Sequence, residues 1–262
     1  MELTWKIADS DVQSFRRFVA QYDRDPFVLQ RKSRNLASEK PQLTESAFWH
    51  ALVGSLLTSQ QKSGPDGAVA RLMRARPFPL GYELCRSERR VDVFATRILV
   101  EFGGIRRTKT IGRELAANLK MLEEGLWPDV LRRLNALRPA APQPEELVAA
   151  EFLAEHLLGL GPKQSRNLLQ GLGLTRFEVP IDSRFTKWLN NFGFPVRLSA
   201  SALSDANYYR FVSQGIQQLC AGADVFPCVV DAAIFASFDQ GRWRDDNLEN
   251  WGEFSAAATT RS

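Results

Sequence analysis

The run Leu157-Leu158-Gly159-Leu160-Gly161-Pro162-Lys163 forces a sharp reversal between two helices. Before it, Glu145 to Leu158 places Leu147, Ala150, Leu153, Ala154, Leu157 and Leu158 on one helical face. Gly159 and Gly161 open φ values closed to other residues, and Pro162 suits the first turn of the next helix, where a missing N–H costs nothing. Such a hairpin leaves backbone N–H groups at a helix N-terminus facing outward, which is a site for a phosphate. A short helix later the chain reads Val179-Pro180-Ile181-Asp182. An amine and a carboxylate, Lys163 and Asp182, thus stand nineteen positions apart around a phosphate-binding turn.

Each of these two residues has an ordinary reading by itself. A lysine in the first turn of a helix is commonly a solvated charge. Asp182 precedes a segment in which Phe185, Trp188, Leu189 and Phe192 recur at helical spacing, so its ordinary reading is that of an N-cap and nothing more. Capping and catalysis are compatible, because capping bonds keep a carboxylate ionised as well as positioned. The glycine hairpin is what favours the catalytic reading.

The pattern Leu-x-Gly-x-Gly-x-Lys, followed by an aspartate after a Pro-Ile step, resembles the helix-hairpin-helix DNA glycosylases. Within them it resembles the lyase-active branch that includes endonuclease III and the 8-oxoguanine DNA glycosylases. The resemblance runs from about Phe48 to the C-terminus, the nineteen-residue spacing fits the 8-oxoguanine branch, and Pro162 falls where the family is variable. It implies that Lys163 is the nucleophile and that Asp182 works beside it. The residue types suit that chemistry. Breaking the bond between base and sugar builds positive charge on the deoxyribose, which an ionised carboxylate stabilises. A deprotonated lysine can attack the anomeric carbon and form a Schiff base, from which the 3′ phosphate leaves by β-elimination.

The resemblance also implies a mainly α fold of two helical subdomains with the active site in the cleft between them. A helical barrel carrying the hairpin would span 45–168, and 1–44 with 169–262 would form the second subdomain. Gly159, Leu160 and Gly161 would meet the DNA backbone. Gln60 and Gln61, in the loop Thr58 to Ser63, would fill the gap left by a flipped nucleotide, although the loop alone reads as an ordinary polar connection. Asp231 and Phe235 are four apart and share a helical face. There the carboxylate would accept the N1–H and N2–H of a guanine edge while the ring stacks on the base. Taken alone, the pair reads equally well as a helix cap and a core aromatic. Trp243 and Trp251 are alternative stacking residues.

Helical periodicity elsewhere predicts helices over Val12 to Tyr22, Thr44 to Leu57, Gly64 to Arg74, Arg89 to Leu99, Ile111 to Glu123, Asp205 to Cys220 and Pro227 to Phe238. The turn Gly103 to Lys109 is basic, and its Arg106 and Arg107 are placed to contact phosphate. Arg138 to Pro144 reads as a proline linker, the rest of the first forty residues is ambiguous, and the tail from Ser255 reads as disordered.

Composition bounds the remaining choices. The net charge is +4, and 26 of the 34 basic residues are arginines, which bind phosphate bidentately. Three cysteines cannot supply a four-cysteine iron–sulfur cluster, and two histidines, His50 and His156, leave no His-rich metal site, so neither cofactor nor metal is expected. No apolar run reaches transmembrane length and no signal peptide is visible, which points to a soluble protein without a membrane partner, and the resemblance implies a monomer acting on double-stranded DNA with a damaged or modified base. The expected location is cytoplasmic and nucleoid-associated in a bacterium or archaeon, and nuclear in a eukaryote. Two other functions fit the same motifs. One is a monofunctional glycosylase for an alkylated or otherwise modified base, using Asp182 with water and leaving Lys163 idle. The other is a non-catalytic helix-hairpin-helix DNA clamp, against which the Lys163–Asp182 spacing argues.

Overall fold

A computed structural model describes residues 4–61, 64–195, 197–199, 201–239 and 241–244, which form thirteen α-helices and no strand. The chain starts with α1 (Asp9–Ala20) and α2 (Pro26–Asn35). The second of these was ambiguous in the sequence, yet it has a clear start: Asp25 accepts the Phe27 N–H at 2.9 Å, and Pro26 occupies the first turn.

Next come α3 (Glu45–Leu57), α4 (Ala68–Arg74), α5 (Tyr82–Ser87), α6 (Val91–Phe102), α7 (Thr108–Met121), α8 (Trp127–Ala136), α9 (Gln143–His156) and α10 (Pro162–Gly171). Helix α3 is buried around most of its circumference, with Phe48, Trp49, Leu52, Val53, Leu56 and Leu57 all in the core. A helix apolar on every side belongs at the centre of a bundle, and the first core, drawn from residues between Leu43 and Leu174, is built around it. Helices α6 and α7 pack closely. A Cβ on Gly112 would lie 2.3 Å from Thr96 Oγ1, so only glycine permits this approach. A π-type turn at Leu122–Leu126, with Gly125 at φ +122°, links α7 to α8.

Several expected boundaries move. Helix α4 begins at Ala68 rather than Gly64, because Gly64 to Gly67 close a turn in which Gly67 N–H bonds Gly64 O at 3.0 Å. Pro144 is not linker but lies in the first turn of α9, where its missing N–H is harmless, and Pro142 is the cap. The short helix α5 and the amphipathic α8 were not anticipated.

The chain closes with α11 (Ser183–Phe192), α12 (Ala206–Ala223) and α13 (Pro227–Asp239). Their apolar faces join Phe15, Val19 and Val28 in a second core. No single helix among the described residues is long and apolar enough to cross a membrane.

Between the cores runs the segment 175–182, and its backbone is held by buried side chains from both sides. The Glu146 carboxylate, on α9, accepts the N–H groups of Arg176 (2.8 Å), Phe177 (2.8 Å) and Glu178 (3.0 Å) as well as the Thr175 hydroxyl. Asn35, on α2, donates to Thr175 O at 2.8 Å. Arg166, on α10, pairs with Glu178 at 2.5 Å, and both side chains are only 3% exposed. Removing an acceptor from converging buried donors strands them, at about 1–3 kcal/mol each. Glu146→Gln, which turns an –NH₂ toward N–H groups, should therefore destabilise the protein by about 2–4 kcal/mol in chemical denaturation, with no change in helix content below the transition. A loss under about 0.5 kcal/mol would show that this carboxylate does not anchor the segment.

Candidate active site

Leu157 ends α9, Gly161 caps α10, and the turn between them is gripped from below. Asn118 donates to Leu158 O at 2.9 Å and accepts Leu158 N–H at 2.7 Å, so one buried amide fixes the turn. Gly159 takes φ +85°, and a Cβ there would meet Leu56 Cδ2 at 2.6 Å and Glu114 Cδ at 2.8 Å. The expectation that both glycines need unusual φ holds only for Gly159, because Gly161 sits at φ −89° in extended backbone. Nothing lies within 4 Å of where a Gly161 Cβ would be, so that side of the turn is open. Leu160 points into the core at 4% exposure, and its N–H bonds Leu157 O, so only its carbonyl remains for an outside partner.

Lys163 follows Pro162 in the first turn of α10. Its Nζ donates to Gln164 Oε1 at 3.1 Å, and Gln164 is itself fixed by donating to Ser55 O at 2.8 Å. Burial lowers the Lys163 pKa from the usual lysine range and the Arg184 cation adds to this, while the anionic Asp182 and Asp231 oppose it. The amine therefore lies within electrostatic reach of both carboxylates singled out in the sequence.

Asp182 is the N-cap of α11. Its Oδ1 accepts Arg184 N–H at 2.8 Å and Phe185 N–H at 2.9 Å, and its Oδ2 accepts Arg184 Nε at 3.0 Å. The backbone just before it is equally constrained: the buried Tyr209 hydroxyl donates to Val179 O and accepts Ile181 N–H, each at 2.7 Å. Arg166 lies 4.6 Å from the Tyr209 ring centroid and donates to Pro162 O at 3.0 Å. Arg166 thus touches the residue before Lys163 and the support of the residues before Asp182.

Asp231, on α13, is not a cap. Its Oδ2 accepts Arg31 Nη1 at 2.8 Å and Gln170 Nε2 at 2.7 Å. Burial raises its pKa, with Arg31 opposing. One turn on, the half-buried Phe235 ring lies parallel to Phe27 at 4.4 Å, with planes at 16°. The Arg184 guanidinium sits 4.0 Å from the Phe235 centroid. Trp243 packs at 6.2 Å from Phe235 in a tilted arrangement, whereas Trp251 lies outside the described residues. Lys163, Asp182, Asp231 and Phe235 are thus linked through Arg184 and through mutual electrostatics.

Sequence reasoning missed Arg31, Gln170, Arg184 and Phe27. Arg184 carried a usable signal, since it stands two residues after Asp182 in the first turn of a helix. Arg31 and Phe27 belong to α2, far away in sequence, and had none.

The two glutamines of the Thr58 to Ser63 loop are not equivalent. Gln61 donates to Gly104 O at 3.2 Å and accepts Arg106 N–H at 2.8 Å, so it ties this loop to the basic turn. Gln60 is exposed at φ +57°. Arg106 is exposed, while Arg107, left-handed at φ +58°, donates to Ser59 Oγ at 2.9 Å and pairs with Glu114 at 3.1 Å. Cys85, Cys220 and Cys228 are buried and unpaired, and no group of three or more metal-ligating side chains occurs among the described residues.

No family model matches the chain. It is 30% identical over 56 residues to an 8-oxoguanine DNA glycosylase/AP lyase of Sulfolobus acidocaldarius, a match that spans 21% of this chain and 27% of that relative. The solved structures it resembles extend over most of its length. The 8-oxoguanine DNA glycosylase of Methanocaldococcus jannaschii superposes with a TM-score of 0.62 at 13% identity, covering 87% of this chain and 94% of the other. That of Thermotoga maritima gives 0.60 at 13%, covering 87% and 96%. The Methanocaldococcus jannaschii 8-oxoguanine glycosylase/lyase in complex with a 15-mer DNA containing 8-oxoguanine gives 0.65 at 11%, covering 88% and 100%. The chain therefore has the all-helical fold of the 8-oxoguanine DNA glycosylases.

Proposed function

We propose that the chain is a base-excision enzyme that removes an oxidised purine, 8-oxoguanine foremost, from double-stranded DNA and then cleaves the strand at the abasic site. The observation that carries this reading is the gathering of a lysine with lowered pKa, a capped carboxylate and an acid–aromatic pair around one position, beside an open hairpin turn. Similarity to glycosylases of this fold, one of them in complex with DNA containing 8-oxoguanine, agrees with it.

The chemistry follows from the residues. As the bond from C1′ to the base nitrogen breaks, the electron pair leaves with the base and positive charge develops on the sugar. Asp182, held by two backbone N–H groups, is pre-set to stabilise that charge without moving. The Lys163 amine, in its unprotonated form, bonds to C1′. The nitrogen then gives up one of its two protons, and its electron pair opens the sugar ring, whose oxygen takes up a proton, leaving a protonated Schiff base. Removal of a 2′ proton then expels the 3′ phosphate. Asp231 reads the base edge, the ring of Phe235 stacks on its face, and the open side of Gly161 with the exposed Gln60 and Arg106 faces DNA, which the protein engages as a monomer.

Lys163→Gln should abolish the covalent adduct that wild type forms with 8-oxoguanine duplex in borohydride, while leaving DNA binding in place. An undiminished adduct would move the nucleophile elsewhere, and a wild type that excises the base without any adduct would favour water as the nucleophile.

Only the neutral amine attacks, and a lowered pKa means that it is populated at a lower pH than in free lysine. Single-turnover trapping should therefore rise with pH and level off below the ordinary lysine value of 10.5. A rate still climbing tenfold per unit beyond that value would contradict a buried, depressed amine.

Asp182→Asn keeps a capping oxygen for α11, so the fold should persist, whereas the charge is lost. Base excision should fall about 10²-fold or more. A single-turnover rate near wild type would reduce Asp182 to a cap.

A further inference from the structure

Both faces of Phe235 are covered. Phe27 lies parallel to it with centroids 4.4 Å apart, and the Arg184 guanidinium carbon lies 4.0 Å from the same centroid. Non-bonded carbons need about 3.5 Å of separation, so two groups that near cannot share one side of a ring. Arg184 therefore covers the face opposite Phe27. A guanidinium is planar, and at this distance it fills the place a stacked base would take.

The same guanidinium bonds Asp182, through Nε to Oδ2 at 3.0 Å. Its side chain remains 28% exposed and it stands in the first turn of α11, so among the described residues it can leave the ring without opening either core. Asp182 has a second, independent hold through Oδ1 and the backbone cap.

Resting on the reading that Phe235 stacks the base, we propose that Arg184 is a displaceable stopper that couples seating of the base to release of Asp182. A base reaching Phe235 must push the guanidinium off the ring. Because one planar group makes both contacts, leaving the ring also breaks the ion pair at Oδ2. The carboxylate stays where its backbone cap holds it, now with one oxygen unpaired and facing the sugar on which positive charge is about to form. An aspartate neutralised by arginine is a poorer stabiliser of that charge than a free one. The full electrostatic effect is thus reserved for a seated base. A duplex with no base at the site has nothing to displace the stopper, and a base with a small stacking surface competes poorly against a cation over an aromatic ring.

The stopper lowers the apparent affinity of every base by the fraction of molecules in which it is out of the way. Arg184→Ala, and Arg184→Lys, which keeps the charge but loses the planar contact, test this in the full-length Lys163→Gln chain, where the covalent step is blocked. Two duplexes of one sequence are compared, one carrying 8-oxoguanine and the other a tetrahydrofuran abasic analogue. Loss of a cation weakens binding to both alike, and the ratio of their Kd values cancels that loss. Both substitutions should raise the preference for the lesion over the abasic duplex, by about fivefold for alanine. A ratio that stays the same or falls in Arg184→Ala overturns the proposal. If the lesion preference of the parent vanishes in Phe235→Ala while Arg184→Ala leaves it unaltered, base stacking stands and only the stopper is lost. A parent with no lesion preference, in which Arg184→Ala also creates none, removes the base-stacking reading and the stopper with it.

Discussion

The segment 175–182 has no helix of its own, yet it carries the chain from one core to the other and delivers Asp182 to the site. Eight residues of irregular backbone between two cores would leave buried N–H and C=O groups without partners, a cost of about 1–3 kcal/mol for each. Side chains from three helices meet that need. Glu146 accepts three successive N–H groups, Asn35 reaches Thr175 O, Tyr209 brackets Val179 and Ile181, and Gln217 steadies Glu178 at 2.9 Å. The buried Arg166–Glu178 pair is satisfied in the same network. Breaking a buried pair from one side leaves an uncompensated charge. Such a seam therefore resists small displacements, and the spacing of Lys163 from Asp182 inherits that stiffness through Arg166, which bonds the carbonyl of Pro162.

Charge balance at the site follows from the same economy of partners. Two carboxylates, Asp182 and Asp231, face one lysine and two arginines. Each carboxylate takes an arginine of its own: Arg184 for Asp182 and Arg31 for Asp231. With the anions already paired, Lys163 gains less from protonation than an isolated lysine–aspartate couple would give it, and burial then sets the direction of its pKa. This is how a lysine can sit among acids and still favour its neutral form more than free lysine does.

The hairpin, Lys163 and Asp182 were legible because each leaves a local mark: a glycine turn, a proline at a helix start, a capping aspartate before an amphipathic run. The environment of Asp231 was not legible. Its partners come from α2 and α10, and no periodicity within α13 announces an arginine two hundred positions away. Helix α8 escaped because the expected helix stops at Glu123, just before Gly125 at φ +122°, and the chain resumes a helix only two residues later at Trp127. Gly161 misled for the opposite reason: a glycine beside a turn invites a backbone explanation, and its φ needs none. Nothing lies within 4 Å of where its Cβ would be, so what distinguishes the position is open space rather than backbone strain.

The same distinction separates Gln60 from Gln61, which look interchangeable in a polar loop. Gln61 spends its amide inside the protein, donating to Gly104 O and accepting Arg106 N–H, so the loop after α3 and the turn before α7 form one ledge. Arg107 reinforces the ledge through Ser59 and Glu114. Gln60 is left at its rim in a left-handed conformation, uncommon for a residue other than glycine. In the proposed enzyme, filling the gap in the duplex then belongs to Gln60, and Gln61 acts by keeping the ledge beneath it rigid.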